Sequence, residues 1–276
     1  MIAQKFKGVI GTTSIDEILN DETIAGVFVS ATPSSHFEIA SKIIKSGKAL
    51  FIEKPPCLCI EELNSLIDKQ RLYGYNTVVV GMQKRFSPIT TILRKKLRDK
   101  RLISYNLHYQ VGLYPEGNEL YDLFIHPIDL VTFLFGDAKI LGVHKTSSEN
   151  GGKTYLLMLE HNNVAGTLEL STFYSWQEAH EAICINMESG MYDMQQMETL
   201  TFTPSSPSFG KIPIEKVFAR DSRLNSLYSR NNFNPILINN QIISQGYFNE
   251  IKTFVESVEC INCLLYTSPS PRDRTR

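Results

Sequence analysis

The feature that most constrains the fold is an alternation of buried-strand and helix patterns over residues 25–83. Three short apolar runs, "AGVFVSATP", "ALFI" and "NTVVVGMQ", are separated by two segments with helical periodicity. Continuous apolar runs are typical of strands covered on both faces, and strands that alternate with helices are joined by parallel crossovers. The sequence therefore predicts an α/β domain with a parallel sheet over residues 1–87.

The helices between these runs carry recognisable end signals. In "SSHFEIASKIIKSGK" an apolar stripe runs to Gly47, a residue type that commonly ends helices, and Lys45 suits the negative end of the helix dipole. The segment "IEELNSLIDKQRLYG" repeats this pattern and ends at Gly74. A shorter helix is predicted in "TSIDEILND", where Ser14 precedes two acidic residues.

The pattern changes after Ser87. A helix is predicted from Pro88, and then "ISYNLHYQVGLY" alternates in the manner of a strand. Two strands are predicted around Asn162-Asn163, and two more in "EAICINMESGMYDMQQMETLTF" around residues 188–190. Helix patterns occur in "YDLFIHPIDLVTFLFG" and "FNEIKTFVESV". The sequence thus predicts an α+β domain over residues 88–262, with a large, mostly antiparallel open sheet.

Charge and composition exclude several classes of protein. The formal net charge is -1 with 21% charged residues, so no electrostatic footprint for nucleic acid or a membrane surface is present. No apolar run approaches the roughly 20 residues needed to cross a bilayer, and "MIAQKFKGVIGTT" lacks the apolar core of a signal peptide. Five cysteines are an odd number for a disulfide framework. We expect a cytoplasmic protein with reduced thiols.

Charged residues follow the second apolar run directly, in "ALFIEKPP". Ligands of open parallel sheets bind beyond the carboxyl ends of the strands, which here are "SATP" and "EKPP". Glu53 and Lys54 would then lie at the mouth of the crevice. The alternative is a solvated surface salt pair, which is the commoner origin of a Glu-Lys dipeptide.

A second group of ionisable residues lies in an otherwise apolar helix pattern. Asp122, His126 and Asp129 are spaced i, i+4, i+7, which places them on one face of an α-helix. Histidine suits proton transfer near neutral pH, and a carboxylate one turn earlier can hold its imidazole. Pro127 is tolerable only if the helix begins around Phe124 or Ile125, which would weaken the stacking of Asp122. A core histidine beside a helix-capping aspartate is an equally good interpretation of this segment alone.

Taken together and in order, these motifs resemble the Gfo/Idh/MocA family of nicotinamide-dependent oxidoreductases, which includes glucose-fructose oxidoreductase and inositol dehydrogenase. The resemblance is carried by "VFVSATPSSHFEIASKIIKSGKALFIEKP", "GMQKRFSP", "D-x-x-x-H-x-x-D", the "FG" at Phe135-Gly136 and "FNEIKTFVESV". It runs from about Gly8 to about Glu259. It implies a partial Rossmann-type sheet followed by the α+β domain.

The resemblance also implies roles for particular residues. A hydride passes between a secondary alcohol of a sugar, sugar derivative or cyclitol and a nicotinamide, NAD or NADP. Lys54 would bind and polarise the reacting oxygen, His126 would be the acid/base, and Asp122 would be its partner or a substrate ligand. These three residues would also form the substrate-binding site. Positions matching the family's cofactor side are Thr32, Pro33, His36, Glu53, Lys54 and Arg85. No metal is required.

The chain departs from the family pattern at both ends. No G-x-G-x-x-G turn occurs, so the first β-α-β unit of the dinucleotide-binding domain is expected to be missing, and with it the residue that would distinguish NAD from NADP. Near the C-terminus, "CLLYTSPSPRD" within residues 263–276 resembles a translated sequencing adapter; a disordered native tail is the alternative. These features suggest an incomplete sequence whose fragment would be inactive.

Three further expectations concern features outside this site. The pairs Cys57/Cys59 and Cys260/Cys263 lack partner ligands at metal-site spacing and are interpreted as incidental thiols. The basic run "RKKLRDKR", Arg94 to Arg101, is interpreted as a solvated helix face.

The resemblance implies a homo-oligomer formed through the open sheet. A non-catalytic protein that binds a dinucleotide or sugar as a regulator is the alternative to an enzyme.

Overall fold

The computed structural model describes residues 8–73, 77–174, 179–206, 208–209, 212–214, 224–230 and 237–259. The described chain divides into two compact units. The first contains residues 8–81 and 252–259, and the second contains residues 82–251. The predicted tail, residues 263–276, and Cys260 lie outside the described residues. No helix in the described part of the chain is long and apolar enough to span a bilayer.

The first unit is built on a three-stranded parallel sheet in the order β1-β2-β3, with β1 and β3 each pairing with β2. This confirms the predicted α/β architecture. Its elements are β1 (Gly26–Val29), β2 (Ala49–Ile52), β3 (Val78–Val80), α1 (Ile15–Asn20), α2 (Pro33–Ser46) and α3 (Ile60–Tyr73).

Helix α2 shows why this part of the sequence folds as predicted. Pro33 occupies the first turn, where its missing N–H has no intrahelical partner to lose, and Gly47 ends the helix with φ 80. One core of the unit packs α2 and α3 against the sheet through Val29, Ala40, Ile43, Ile44, Leu50, Ile52 and Leu66. The other face of the sheet packs against the C-terminal helix through Ala49, Phe51, Val79 and Phe254.

Strand β1 is covered on both faces, as predicted, but it is less buried than a central strand. Only Val29 of this strand is buried, and Phe28 is 50% exposed. Among the described strands β1 pairs with β2 alone, so one of its edges is not covered by a neighbouring strand. The Phe28 ring still packs 5.1 Å from Phe51 and 4.8 Å from Phe254. Val29 packs into the core with α2 on one face and Phe28 packs against Phe254 on the other, so the exposure of β1 arises at its open edge.

The second unit contains an eight-stranded sheet in the order β13-β10-β9-β8-β4-β7-β6-β5. Only the β4–β7 pair is parallel, which confirms the predicted mostly antiparallel sheet. Its strands are β4 (Leu102–Gln110), β5 (Lys139–Ser147), β6 (Lys153–His161), β7 (Val164–Ser171), β8 (His180–Met187), β9 (Gly190–Gln195), β10 (Thr199–Pro204) and β13 (Asn225–Ser229). A separate short pair is β11 (Ser208–Phe209) with β12 (Ile212–Pro213).

The helical elements of the second unit lie mainly on one face of this sheet. They are a 3-10 turn (Gln83–Phe86), α4 (Pro88–Leu97), a π-helical turn (Leu120–Phe124), α5 (Ile125–Phe135) and α6 (Leu237–Ser244); a last helix, α7 (Tyr247–Glu259), contributes residues to both units. Ser87 caps α4 by accepting a hydrogen bond from the Thr90 N–H at 3.0 Å. The main core joins α4 and α5 to the sheet through residues such as Leu93, Phe124, Leu130 and Tyr105.

Two strand predictions were incomplete. The segment expected to form two strands around residues 188–190 forms three, β8, β9 and β10, and β5 and β13 were not predicted. The predicted turn between β6 and β7 is confirmed, with Asn162 and Asn163 at φ 43 and φ 73. Asparagine tolerates this left-handed backbone better than most residues, so the turn follows from local chemistry.

Candidate active site

The carboxyl ends of the three parallel strands lie along one edge of the first unit's sheet. Two backbone hydrogen bonds continue the strand pairing past the strand ends, from the Glu53 N–H to the Val29 oxygen at 2.9 Å and from the Gly81 N–H to the Ile52 oxygen at 2.8 Å. The loops "SATP" and "EKPP" therefore leave the sheet side by side, at the edge where open parallel sheets bind ligands.

His36 joins these two loops. Its side chain is buried, with Nδ1 2.7 Å from the Pro55 carbonyl oxygen and Nε2 2.9 Å from the Ala31 carbonyl oxygen. A carbonyl oxygen can accept a hydrogen bond but cannot donate one. A ring nitrogen of His36 that bonds to either carbonyl therefore carries the hydrogen. The observed geometry makes His36 a bridge between the loops that follow β1 and β2.

The other predicted residues of the first unit surround this bridge. Thr32 and Pro33 are exposed where α2 begins, and Glu53 and Lys54 are half-buried after β2. A Cβ placed on Gly81 would lie 3.0 Å from Glu53 Oε2, so the glycine leaves room for this carboxylate. The structure thus brings Thr32, Pro33, His36, Glu53 and Lys54 to one edge of the sheet.

In the second unit, Asp122 lies in the π-helical turn that precedes α5. Its Oδ2 accepts hydrogen bonds from the Asn118 N–H at 2.8 Å and from the Tyr114 hydroxyl at 3.3 Å. Burial and the Asp122 carboxylate raise the pKa of Tyr114. A Cβ on Gly117 would lie 2.3 Å from the same Oδ2, so the loop is closely fitted around the carboxylate.

His126 lies in the first turn of α5, which begins at Ile125. Helical backbone nevertheless runs without a break from the π-helical turn into α5, since Phe124 and Ile125 are both in the right-handed helical region. Pro127 therefore follows a π-helical turn and not the late helix start that was expected. Because a π-helical turn closes i to i+5 rather than i to i+4, Asp122 does not share the strict α-helical stacking of His126 and Asp129.

Asp129 and Arg85 form an ion pair within the second unit. Arg85 Nε lies 2.8 Å from Asp129 Oδ2 and 3.1 Å from Oδ1, and its Nη2 also bonds to Oδ1. The Asp129 side chain is only 8% exposed, and the guanidinium carbon lies 5.2 Å from the centre of the Phe133 ring. Forked hydrogen bonds of this kind offset the cost of burying the carboxylate.

A polar cluster beside the π-helical turn was not predicted. The buried Glu119 carboxylate accepts hydrogen bonds at 2.8 Å from Lys153 Nζ and from the Tyr155 hydroxyl. Burial opposes ionisation of Glu119, but the bonds from Lys153, its own backbone and Tyr155 outweigh it and hold the pKa of this carboxyl below its usual value. Burial, together with Glu119, raises the pKa of Tyr155 to about 12. Lys153 and Tyr155 are 34 and 36 residues from Glu119 along the chain. Both belong to β6, and the folding of this strand into the sheet brings them to the carboxylate.

A second unpredicted pair is fully internal. Lys84 Nζ bonds to Glu181 Oε2, with both side chains about 5% exposed, and the ammonium lies 5.0 Å from the centre of the Tyr109 ring. Burial, reinforced by Glu181, raises the pKa of Tyr109. The only local indication in the sequence is the basic pair in "GMQKRFSP". Lys84 forms its ion pair with Glu181, and Arg85 forms its ion pair with Asp129.

Comparison with known sequences supports a dinucleotide-binding first unit. Residues 2–81 match the profile of the Gfo/Idh/MocA oxidoreductase family, NAD-binding Rossmann fold. An inositol 2-dehydrogenase/D-chiro-inositol 3-dehydrogenase from Lactiplantibacillus plantarum is 28% identical over 140 residues, covering 48% of this chain and 40% of the relative. A scyllo-inositol 2-dehydrogenase (NAD(+)) from Bacillus subtilis is 28% identical over 131 residues, covering 44% and 38%. The chain thus spans about two-fifths of the length of these relatives.

Comparison with solved structures shows the fold. A dehydrogenase from Chromobacterium violaceum superposes with a TM-score of 0.74 at 19% identity, covering 94% of this chain and 75% of the other. A levoglucosan dehydrogenase in complex with NADH and L-sorbose gives 0.69 at 16% identity, covering 88% and 74%. The similarity in these structures therefore extends through the second unit.

Proposed function

We propose that this chain takes part in hydride transfer between a nicotinamide cofactor and a secondary alcohol, because its residues 2–81 match the Gfo/Idh/MocA oxidoreductase family. The relatives named for inositol oxidation, and a structural neighbour named for levoglucosan, favour a cyclitol or sugar as the alcohol. NAD and NADP are both compatible with the proposal.

The observation that carries the proposal is the shared edge of the parallel sheet, where His36 joins the loops after β1 and β2. These loops present Thr32, Pro33, Glu53 and Lys54, and small residues and prolines allow backbone to lie against a flat ring. The arrangement fits the nicotinamide side of a dinucleotide. The 276 residues contain no G-x-G-x-x-G turn, so the pyrophosphate has no assigned partners here.

Lys54 is proposed to act on the reacting oxygen. Its half-buried ammonium follows β2 directly, and an ammonium stabilises the negative charge that develops on an alcohol oxygen as its proton leaves. The bound nicotinamide would supply the hydride acceptor. His36 would serve as a positioning residue, since it joins the loop that carries Lys54 to the loop after β1.

His126 is proposed as the group that takes the hydroxyl proton. A histidine side chain is suited to this transfer because it gains and loses a proton near neutral pH. Asp122 would fix the π-helical turn that leads into His126, through its hydrogen bonds to Asn118 and Tyr114. Arg85, which is paired with Asp129, would then act by holding α5 rather than by contacting the dinucleotide.

The proposal is tested by substrate turnover in the full-length protein that carries this chain. NAD and NADP are each offered with a panel of inositols and aldoses, and reduction of the nicotinamide is followed by absorbance. We expect turnover of at least one polyol, with a primary isotope effect when the carbinol carbon carries deuterium. Saturable binding of a dinucleotide or sugar without any turnover would instead favour the regulatory alternative.

The role of His126 has its own test. His126→Asn keeps a polar side chain of similar size but removes the acid/base, and proton transfer typically contributes about 10²–10⁴-fold to a rate. We expect kcat to fall by about 100-fold or more with a small change in KM. His144→Asn, at an exposed position of β5, is the matched control. Equal rates in the two variants would remove His126 from the mechanism.

A further inference from the structure

The basic residues of the run Arg94 to Arg101 are exposed, as expected, although the helix ends at Leu97, and several of them line a cavity. The cavity measures about 870 Å³ and lies wholly within the second unit. The residues that line it include four cations of this run, Arg94, Arg98, Lys100 and Arg101. Concave sites of several hundred Å³ are the usual setting for small-molecule binding.

The helix dipole explains only part of this run. Arg94, Lys95 and Lys96 occupy the last turn of α4, where positive charge stabilises a helix. Lys95 and Lys96 are exposed and are not among the residues that line the cavity. Arg98 and Lys100 follow the end of the helix, and the intervening Asp99 has φ 58, a left-handed backbone conformation that turns the chain. The run is thus divided into cations that line the cavity and cations that do not.

The charge at the cavity suits a dianion. Asp99 is the one carboxylate among the lining residues, against the four cations. Arg101 also forms an exposed ion pair with Glu188 at 3.0 Å, which offsets a second positive charge. Among the described residues Arg98 and Lys100 form no ion pair with a carboxylate. A phosphate monoester carries about -1.5 to -2 charges near pH 7 and accepts hydrogen bonds on three oxygens, which matches the remaining excess.

The rest of the lining mixes apolar and polar residues. Phe133 and Leu134 are half-buried, Leu97, Phe135 and Val164 are buried, and His161, Asn162 and Asn163 add polar groups. The Arg94 guanidinium carbon lies 4.8 Å from the centre of the Phe133 ring. A free inorganic ion would leave this apolar surface in water. A ligand with an apolar or aromatic body would cover it and gain from the burial.

We propose that this cavity binds a small phosphorylated molecule, with its phosphate held by Arg98, Lys100 and Arg94 and its apolar body against Phe133 and Leu134. The site is separate from the residues assigned to hydride transfer and does not rest on that function. A nucleic acid is a weaker match because a chain with a formal net charge of -1 offers no extended basic surface for many phosphates.

The test is calorimetric titration of the full chain with phenyl phosphate. Two double variants each remove two charges from exposed positions of the same run: Arg98→Gln/Lys100→Gln from the cavity, and Lys95→Gln/Lys96→Gln from outside it. We expect saturable binding that weakens about tenfold or more in the cavity variant and by less than about twofold in the control. Melting temperatures of both variants check that folding is retained.

Titrations with other ligands distinguish the contribution of the phosphate from that of the apolar body. Methyl phosphate should bind several-fold more weakly than phenyl phosphate, and equal affinities would overturn the assignment of an apolar body. Citrate binding as tightly as phenyl phosphate would overturn the preference for phosphate. Equal losses in the two double variants, or binding that neither variant changes, would overturn the site, since phosphate would then be held by general charge or by the dinucleotide-binding unit.

Discussion

At the scale of single residues, two buried histidines hold backbone and neighbouring side chains in place. His36 bridges the carbonyl oxygens of Ala31 and Pro55. His161 lies 2.7 Å from the Gly136 carbonyl oxygen through Nδ1 and 2.7 Å from the Tyr105 hydroxyl through Nε2. The partners of His161 are 25 and 56 residues away along the chain, so no local sequence pattern indicates them.

The first prediction concerns the bond between Tyr105 and His161. Burial raises the pKa of Tyr105, so its phenol remains protonated and donates to His161 Nε2. Tyr105→Phe removes this donor inside the core and should lower the free energy of unfolding by about 1–3 kcal/mol. Chemical denaturation measures the change. Tyr73→Phe, at a tyrosine of α3 that is 45% exposed, should stay within about 0.5 kcal/mol; an equally small effect of Tyr105→Phe would contradict the assignment.

The second prediction concerns the pH dependence contributed by Glu119. Its pKa is lower in the folded protein than the usual value of 4.5, so its stabilising contribution is complete above that value and disappears as pH falls through the folded pKa. Glu119→Gln should cost about 1–3 kcal/mol at pH 7, and the difference from wild type should shrink below pH 4.5. Unfolding free energies from pH 3 to 7 provide the measurement; a difference that does not change with pH would exclude the ionised bond.

At the scale of elements, local pattern predicted most of the fold. Helix α2 was predictable because its apolar stripe and Gly47 cap are encoded within fifteen residues. Strand β5 was not predictable in this way. Eight of its nine residues are exposed, so its sequence does not alternate between apolar and polar residues. The third strand of the β8–β10 group was missed because its turn carries non-glycine residues, Gln196 and Met197, at positive φ.

The candidate site, like the fold, could be predicted from the sequence only in part. The edge formed by the loops after β1 and β2 could be predicted, since parallel strands place their carboxyl ends together. The pairing of Asp129 with Arg85 could not, because 44 residues separate them and the spacing of the three ionisable groups on the helix does not indicate which one forms an ion pair. The π-helical turn at Asp122 was likewise invisible to an argument based on a 3.6-residue period.

The third prediction tests the packing of the one parallel strand pair in the large sheet. Gly166 of β7 pairs with Tyr105 of β4, and a Cβ on it would lie 2.2 Å from the tyrosine ring. Gly166→Ala should therefore destabilise the protein by about 1–3 kcal/mol through overpacking. Gly142→Ala is the control, since its Cβ would meet only the flexible end of Met158, at 2.9 Å. Equal stabilities of the two variants in thermal unfolding would argue against this packing.

At the scale of the whole molecule, the large sheet presents apolar side chains on the face away from its helices. Leu156 and Met158 of β6 are 46% and 56% exposed. Exposed apolar groups of this kind are typical of interaction surfaces. We propose that a second copy of the chain covers this face, with the sheets as the interface.

The fourth prediction follows from that proposal. Leu156→Glu/Met158→Glu places two charges in the interface and should convert a dimer or larger assembly into a monomer, as measured by light scattering after gel filtration. Leu72→Glu, at a leucine of α3 that is 75% exposed, should leave the assembly unchanged. A monomeric wild-type protein, or an assembly that survives the double substitution, would reject the sheet interface.

The central claim is that the ammonium after β2 acts on the reacting alcohol, and replacing it tests this most directly. Lys54→Met keeps the length of the side chain and removes its charge, while Lys45→Met does the same at an exposed position of α2. In the full-length protein we predict that nicotinamide reduction slows by about 100-fold or more in the first variant, the size of effect typical for loss of an electrostatic stabiliser. The second variant should match the wild type. A Lys54→Met protein that turns over its polyol at the wild-type rate would contradict the account.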